Sequence, residues 1–236
     1  MKHLAISAAF GLWVAGSSLV AAQDLATAGT VVELYTSQGC SSCPPADAFL
    51  RKLAADPDVI ALALHVDYWD YIGWSDHFAQ PIFTARQKAY AHLVGSNTIY
   101  TPQMIVGGRE QVAGSDPEQV ERAIRRDQRA PRGVQLQLTR QGDQVMIAAK
   151  ASVGFAGPVQ VALVRYHPLA SVQINYGENA GRVMDYANIV TDWDNLGQWD
   201  GTSALHLTAT AAGTDAIVVI VQAAGPGEIL AAAQIR

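Results

Sequence analysis

The stretch Glu33-Leu34-Tyr35-Thr36-Ser37-Gln38-Gly39-Cys40-Ser41-Ser42-Cys43-Pro44-Pro45-Ala46-Asp47 decides how this sequence is read. Cys40 and Cys43 are the only cysteines of the 236-residue chain and stand at the Cys-x-x-Cys spacing of a dithiol redox centre. An apolar, β-like run over residues 31–36 precedes them, and a helix-like run over residues 46–55 follows. The first thiol is therefore expected at a helix N-terminus, where free N–H groups and the helix dipole favour thiolate over thiol. Cys40 reads as the nucleophile and Cys43, one turn inside the helix, as the resolving thiol of a mixed disulfide. Ser41 and Ser42 offer hydroxyls to the Cys40 thiolate, although small polar residues also suit a helix start. Three readings stay open at this point: a redox-active dithiol, a structural disulfide, and a soft-thiolate site for Cu(I) that uses the same two ligands. A closed structural zinc site lacks a second cysteine pair. So short a loop gains little from a bridge in the chain-entropy picture, which favours chemistry over structure.

Half of the residues are hydrophobic and 16% are charged, a globular composition with one or two cores. Lys2, the apolar run from Leu4 to Val20 and the small residues Ala21 and Ala22 read as a secretory signal peptide over residues 1–22. The alternative, an N-terminal anchor, is weakened by Gly11, Gly16, Ser17 and Ser18. No later segment is long and apolar enough to span, so no stable membrane span is expected after cleavage. The expected location is periplasmic or secreted, where a disulfide persists. The formal net charge of −5 and a single arginine cluster (Arg122, Arg125, Arg126, Arg129, Arg132) argue against a nucleic-acid partner. The expected partner is a protein or small-molecule thiol or disulfide. No cofactor and no metal are expected in the redox reading.

The first half alternates element types: strand 31–35, helix 44–55, strand 59–66, an insertion over 68–98 with helical 83–94, strand 103–106, a Gly107-Gly108 turn, a strand near Gln111 and helix 117–129. Asp116 reads as the N-cap of that last helix and Pro117 as its first residue. This order resembles the thioredoxin layout. The second half reads as short strands (134–139, 145–151, 159–166, 171–174, 205–208, 217–221, 229–235) separated by glycine and aspartate turns. The expected fold is an α/β thioredoxin-like domain over residues 23–131 followed by an all-β sandwich-like domain over residues 132–236.

Further polar positions attract notice around this frame. Thr101-Pro102 precedes the third core strand, as the cis-proline of the thioredoxin superfamily does, and the resemblance implies that Thr101 offers backbone groups to an extended substrate. Glu33 is an ionisable residue in an apolar strand. Thioredoxins and disulfide oxidases carry an acid on the equivalent strand, although here it stands seven positions before Cys40, one more than in those proteins. A solvent-facing edge position is the alternative. His65 and Asp67 end the apolar strand, where they rim the dithiol or cap the loop. Tyr68, Trp69, Tyr71 and Trp74 line a substrate groove or form a small core of their own. Residues 177–182 and 195–201 read as loops joined by a strand or hairpin over 183–190, and Glu178, Arg182, Asp185, Asp192 and Asp194 as a solvated polar face, with packing against the first domain as the alternative.

The stretch 33–47, together with Tyr100-Thr101-Pro102-Gln103 and Gly177-Glu178-Asn179-Ala180-Gly181-Arg182, resembles a secreted proteobacterial family, domain of unknown function family 1223, thioredoxin-like in its first part. The resemblance implies fold and site and leaves the substrate open. Ser41-Ser42 in place of the usual Gly-Pro, and Pro44-Pro45 after the second cysteine, depart from ordinary thioredoxin.

Overall fold

The structure, a computed structural model, describes residues 26–236, so the leader expected over residues 1–22 lies outside the described residues. Chain order runs β1 (Thr27–Ala28), β2 (Thr30–Thr36), α1 (Pro44–Leu53), β3 (Val59–His65), a single 3-10 turn (Asp70–Ile72), α2 (Pro81–Leu93), β4 (Gln103–Val106), β5 (Glu110–Ala113) and α3 (Pro117–Arg129). It continues through β6 (Val134–Gln141), β7 (Gln144–Ala151), β8 (Val159–Gln173), β9 (Val183–Trp199), β10 (Leu205–Thr210), β11 (Ala216–Ala223) and β12 (Ile229–Ile235).

One sheet of nine strands in the order β1-β12-β11-β8-β9-β3-β2-β4-β5 takes strands from both halves of the chain, and β10-β7-β6 form a second, small sheet. This corrects the expected fold class. The molecule is mostly β and is not an α/β thioredoxin-like domain followed by a sandwich. The physical reason lies at β3, whose seven residues are all buried. Such a strand needs a partner on each edge. One edge pairs in parallel with β2 and the other with β9, through Ala63 and Ile189. Asn188, at φ +50°, gives its side-chain amide to the Ala61 carbonyl at 2.8 Å and extends that junction beyond the strand ladder.

The sheet also curls far enough for the β11–β12 turn to meet the β4–β5 turn. The Ile229 N–H donates to the Gly107 carbonyl at 2.9 Å. Gly108, at φ +69°, sits where any Cβ would strike the Gly227 carbonyl oxygen, so both backbone angle and space demand glycine. Inside the curl, Tyr35, Ile60, Leu62, Leu64, Phe83 and Tyr90 pack with Val218 and Ile220. Each such side chain contributes roughly 1.5–3 kcal/mol by burial.

Strand alternation assigns the other face of β2 and β3 to α1 and α3: Val32, Leu34, Val59, Ala61 and Ala63 pack with Leu50, Leu53, Val120 and Ala123. Helix α1 starts on Pro44 and Pro45, which lack the N–H groups a helix start leaves unpaired, and it ends with Arg51 and Lys52 near its negative pole. Asp116 caps α3 by accepting from the Gln119 N–H at 3.0 Å. No helix among the described residues is long and apolar enough to cross a membrane.

Candidate functional site

Between β2 and α1 the chain turns at residues 37–43, and Cys40 and Cys43 are joined there in a disulfide. Both cysteines are 0% exposed. Ser41 and Ser42, between them, face solvent, and the Ser42 hydroxyl lies 3.4 Å from the Cys40 sulfur. Cys43 occupies the N-cap position of α1 without a side-chain cap bond, since its sulfur is committed to the bridge.

Two segments cover this turn. From the insertion, Trp69 presses its Cβ and carbonyl against Gly39, where an added Cβ would lie 3.2 Å from the Trp69 Cβ and 3.2 Å from Ile72. The Trp69 indole N–H donates to the Thr101 hydroxyl at 2.7 Å, and that of Trp74 to Gln38 Oε1 at 2.8 Å. From the β8–β9 loop, Asn179 donates to the carbonyls of Gln38 and Cys40 at 2.9 and 3.0 Å. The loop over residues 177–182, expected to be solvated, therefore packs on the cysteine turn through Asn179, while Glu178 and Arg182 face solvent.

Beneath the disulfide lies a buried layer of titratable groups. Asp47 follows Cys43 by one helical turn and its N–H bonds the Cys43 carbonyl at 3.1 Å, so the two side chains share a face of α1. The Thr36 hydroxyl donates to Asp47 Oδ1 at 2.8 Å, whereas Oδ2 has no partner. Burial pushes the Asp47 carboxyl up from the ordinary 3.8 to about 7, with Asp76 adding to the rise and His65 and Thr36 opposing it. His65 Nδ1 lies 2.7 Å from Asp76 Oδ2. Burial alone would raise the Asp76 carboxyl, but His65 and the N–H groups of Gln38 and Phe78 outweigh it and hold the group below its usual range. Tyr186 stands edge-on to the His65 ring at 4.8 Å, its hydroxyl raised by burial and by the two aspartates.

Thr101-Pro102 is a cis peptide and is brought to this site. A Cβ on Gly114 would lie 2.8 Å from the Pro102 Cβ and 3.2 Å from the Ala46 Cβ, which puts Pro102 near the first turn of α1. Glu33 is not part of the site. It projects from the opposite face of β2 with Val31 and Tyr35, fully buried, and binds Arg86 through two contacts of 2.7 and 2.9 Å. Tyr35 and Tyr90 donate to the same carboxylate at 2.9 and 2.7 Å, and Arg86 stacks 3.8 Å from the Trp193 ring. Asp67 likewise stays apart, accepting from Thr84 on α2 at 2.5 Å. Of the aromatic insertion, Trp69 and Trp74 touch the cysteine turn, Tyr68 binds Gln87 at 3.2 Å, and Tyr71 is 82% exposed. Asp185 pairs with Arg51, and Asp192 with Arg165. No cluster of three or more metal-ligating side chains occurs among the described residues.

Asp47, Asp76 and Asn179 were not assigned roles by sequence reasoning. Asp47 carried a readable signal, four residues after Cys43 on a helix. Asp76 carried none, because its place depends on how the insertion folds back onto β3.

The family model described as "Protein of unknown function (DUF1223)" matches residues 31–222. Among solved structures, a structural-genomics crystal structure of a protein from Agrobacterium tumefaciens is similar at 34% identity and a TM-score of 0.75, covering 89% of this chain and 94% of that one. HBP35 of Porphyromonas gingivalis is similar in fold at 14% identity and a TM-score of 0.61, covering 88% of this chain and 74% of that one. No curated protein matches.

Proposed function

The chain belongs to the family of proteins of unknown function DUF1223, and within it we propose that this member is an exported thiol–disulfide oxidoreductase whose centre is Cys40 and Cys43. The observation that carries the reading is Asp47: a buried carboxyl with one unpartnered oxygen, raised to about 7, one turn beyond Cys43. A purely structural bridge has no use for such a group, which costs stability at neutral pH. A thiol that must gain and lose a proton does use it, because proton transfer is most effective with a pKa near the working pH. Export rests on the leader-like pattern of residues 1–22 and suits a compartment in which disulfides persist.

The exchange runs as follows. A substrate thiolate attacks Cys40 Sγ, the Cys40–Cys43 bond breaks, and a substrate–Cys40 disulfide forms while Cys43 leaves with the electron pair. Asp47 protonates the Cys43 thiolate. A second substrate thiolate then displaces Cys40, which takes up a proton, so that a substrate dithiol is oxidised and the protein disulfide is reduced. The reverse sequence reduces a substrate disulfide. Because both sulfurs are buried, attack requires the cover supplied by Trp69 and Asn179 to part.

The test is capture of glutathione disulfide by single-cysteine variants. Cys43→Ser is expected to accumulate a glutathione adduct on Cys40, read by mass spectrometry, and Cys40→Ser to react far more slowly. Equal inertness of both variants would overturn the proposal.

A further inference from the structure

Two buried amides beside the disulfide each leave one pole without a hydrogen-bond partner: Gln38 Nε2 and Asn179 Oδ1. Their other poles fix which atom is which. Gln38 Oε1 accepts the Trp74 indole N–H at 2.8 Å, so the free pole of Gln38 is its N–H donor. Asn179 Nδ2 donates to the carbonyls of Gln38 and Cys40, so the free pole of Asn179 is its acceptor. The two residues are 0% and 1% exposed, and a donor and an acceptor left unpaired at such depth call for a reason.

The cover above them has two halves of unequal hold. One is the loop over residues 177–182. It is closed on itself by the Ile174 N–H on the Arg182 carbonyl at 2.9 Å and the Gly181 N–H on the Ile174 carbonyl at 2.8 Å, and Asn179 pins it to the cysteine turn. The other is a strap over residues 68–75. None of its residues is buried, although His65, Val66 and Asp76 on either side are. Its base is closed by the Gln80 N–H on the His65 carbonyl at 3.1 Å. Within it, the Asp70 carboxylate accepts from the Ser75 hydroxyl and the Asp76 N–H, both at 3.1 Å, so the strap keeps its own shape. It is tied to the rest of the molecule by single side-chain bonds, Tyr68 to Gln87, Trp69 to Thr101 and Trp74 to Gln38, and by the part-buried packing of the same three rings. Strap and loop abut where a Cβ on Gly177 would lie 3.3 Å from the Trp74 Cβ and 3.6 Å from the Ile72 carbonyl oxygen.

We propose that the strap is a lid that parts from the loop along this seam, and that the site it bares takes a thiol or disulfide carrying amide groups, a peptide cysteine in preference to a bare alkyl thiol. A substrate carbonyl accepts from Gln38 Nε2–H, and a substrate N–H donates to Asn179 Oδ1, both beside Cys40. This substrate class rests on the redox reading of the disulfide. The sulfur chemistry is unchanged by it. Two substrate thiolates attack in turn, one substrate disulfide forms, and the Cys40–Cys43 bond takes up two electrons, with the protons of the two substrate thiols ending on Cys40 and Cys43.

The test compares reduction of the oxidised protein by N-acetylcysteine amide and by 2-mercaptoethanol, with each rate expressed per thiolate. The wild type is expected to react about tenfold faster with the amide-bearing thiol, through the two added hydrogen bonds. Gln38→Met is expected to lose most of that preference. Trp69→Phe, which keeps a ring and removes the bond to Thr101, is expected to speed reduction by both thiols several-fold and to keep their ratio. Equal rates in the wild type, or a ratio unmoved in Gln38→Met, would overturn the amide contacts. Rates unmoved in Trp69→Phe would overturn the lid. The wild-type comparison decides the substrate class even where a variant fails to fold. Reduction by both thiols at equal rates would sink the site and leave the redox reading standing, whereas a pair that neither thiol reduces would sink that reading and the site with it.

Discussion

Asn179, on the loop between β8 and β9, holds the backbone carbonyl of Cys40 through its side-chain amide at 3.0 Å. The first cysteine is thus fixed by a residue 139 positions away in the other half of the chain. That bond, together with its companion to Gln38, ties the C-terminal half to the cysteine turn.

Asn179→Ala is expected to leave two buried carbonyls without this donor and to cost about 1–3 kcal/mol in chemical denaturation. It is also expected to let a small thiol such as dithiothreitol reduce the disulfide several-fold faster, because part of the cover over Cys40 is released. An unchanged reduction rate in a destabilised variant would mean that Asn179 is scaffold and no part of the cover.

Asp47 sets a pH dependence with a definite sign. Its carboxyl ionises near 3.8 when unfolded and near 7 when folded, so between these values the folded state binds the extra proton. Stability therefore falls as pH rises from about 4 to about 7 and levels off above. Asp47→Asn keeps an oxygen for Thr36 and removes that slope. At pH 8 the variant is expected to be more stable than wild type by on the order of 2–4 kcal/mol, while thiol exchange slows. Parallel stability curves for the two proteins between pH 4 and 8 would count against the buried acid.

Glu33 and Arg86 give the opposite pattern. Glu33→Gln leaves the Arg86 guanidinium buried without its counter-charge and is expected to cost roughly 3–5 kcal/mol. Thiol exchange by the folded fraction is expected to match wild type, since Glu33 lies on the far face of β2. A variant of native stability with altered exchange would return Glu33 to the redox site.

Closure of the curled sheet is tested at Gly108. Gly108→Ala puts a Cβ against the Gly227 carbonyl and a side chain at φ +69°, and a loss of on the order of 3 kcal/mol is expected from strain and contact together. A variant that melts with the wild type would show that the two turns give way easily.

Most local structure was legible. The strand at Gln103–Val106 and the helix at Pro117–Arg129 with its Asp116 cap fall where proline, capping residue and apolar period put them. The architecture was not legible, because parallel pairing of β3 with β9 is long-range and leaves no local pattern. The second half misled for a related reason. The runs 159–166 and 171–174, read as two strands, fall on the one long strand β8, which ends at Gln173, and the polar residues 195–199, read as loop, continue β9. Each strand is buried along one half only, β8 losing its cover over 167–173 and β9 over 191–198, so the alternation that marks a buried strand fades there. Around the disulfide, motif and order singled out Cys40, Cys43, Thr101 and Pro102, which the fold brings near one another. Glu33 misled because one charge in an apolar strand does not say which face it takes, nor that Arg86 and two tyrosines wait there.

Redox titration of the Cys40–Cys43 pair in glutathione buffers, read by thiol alkylation, tests the central claim most directly. The account predicts full equilibration at a potential above about −300 mV, within reach of biological thiols. A pair that stays oxidised at every accessible poise, with a potential below that value, would contradict it and leave the bridge a structural one.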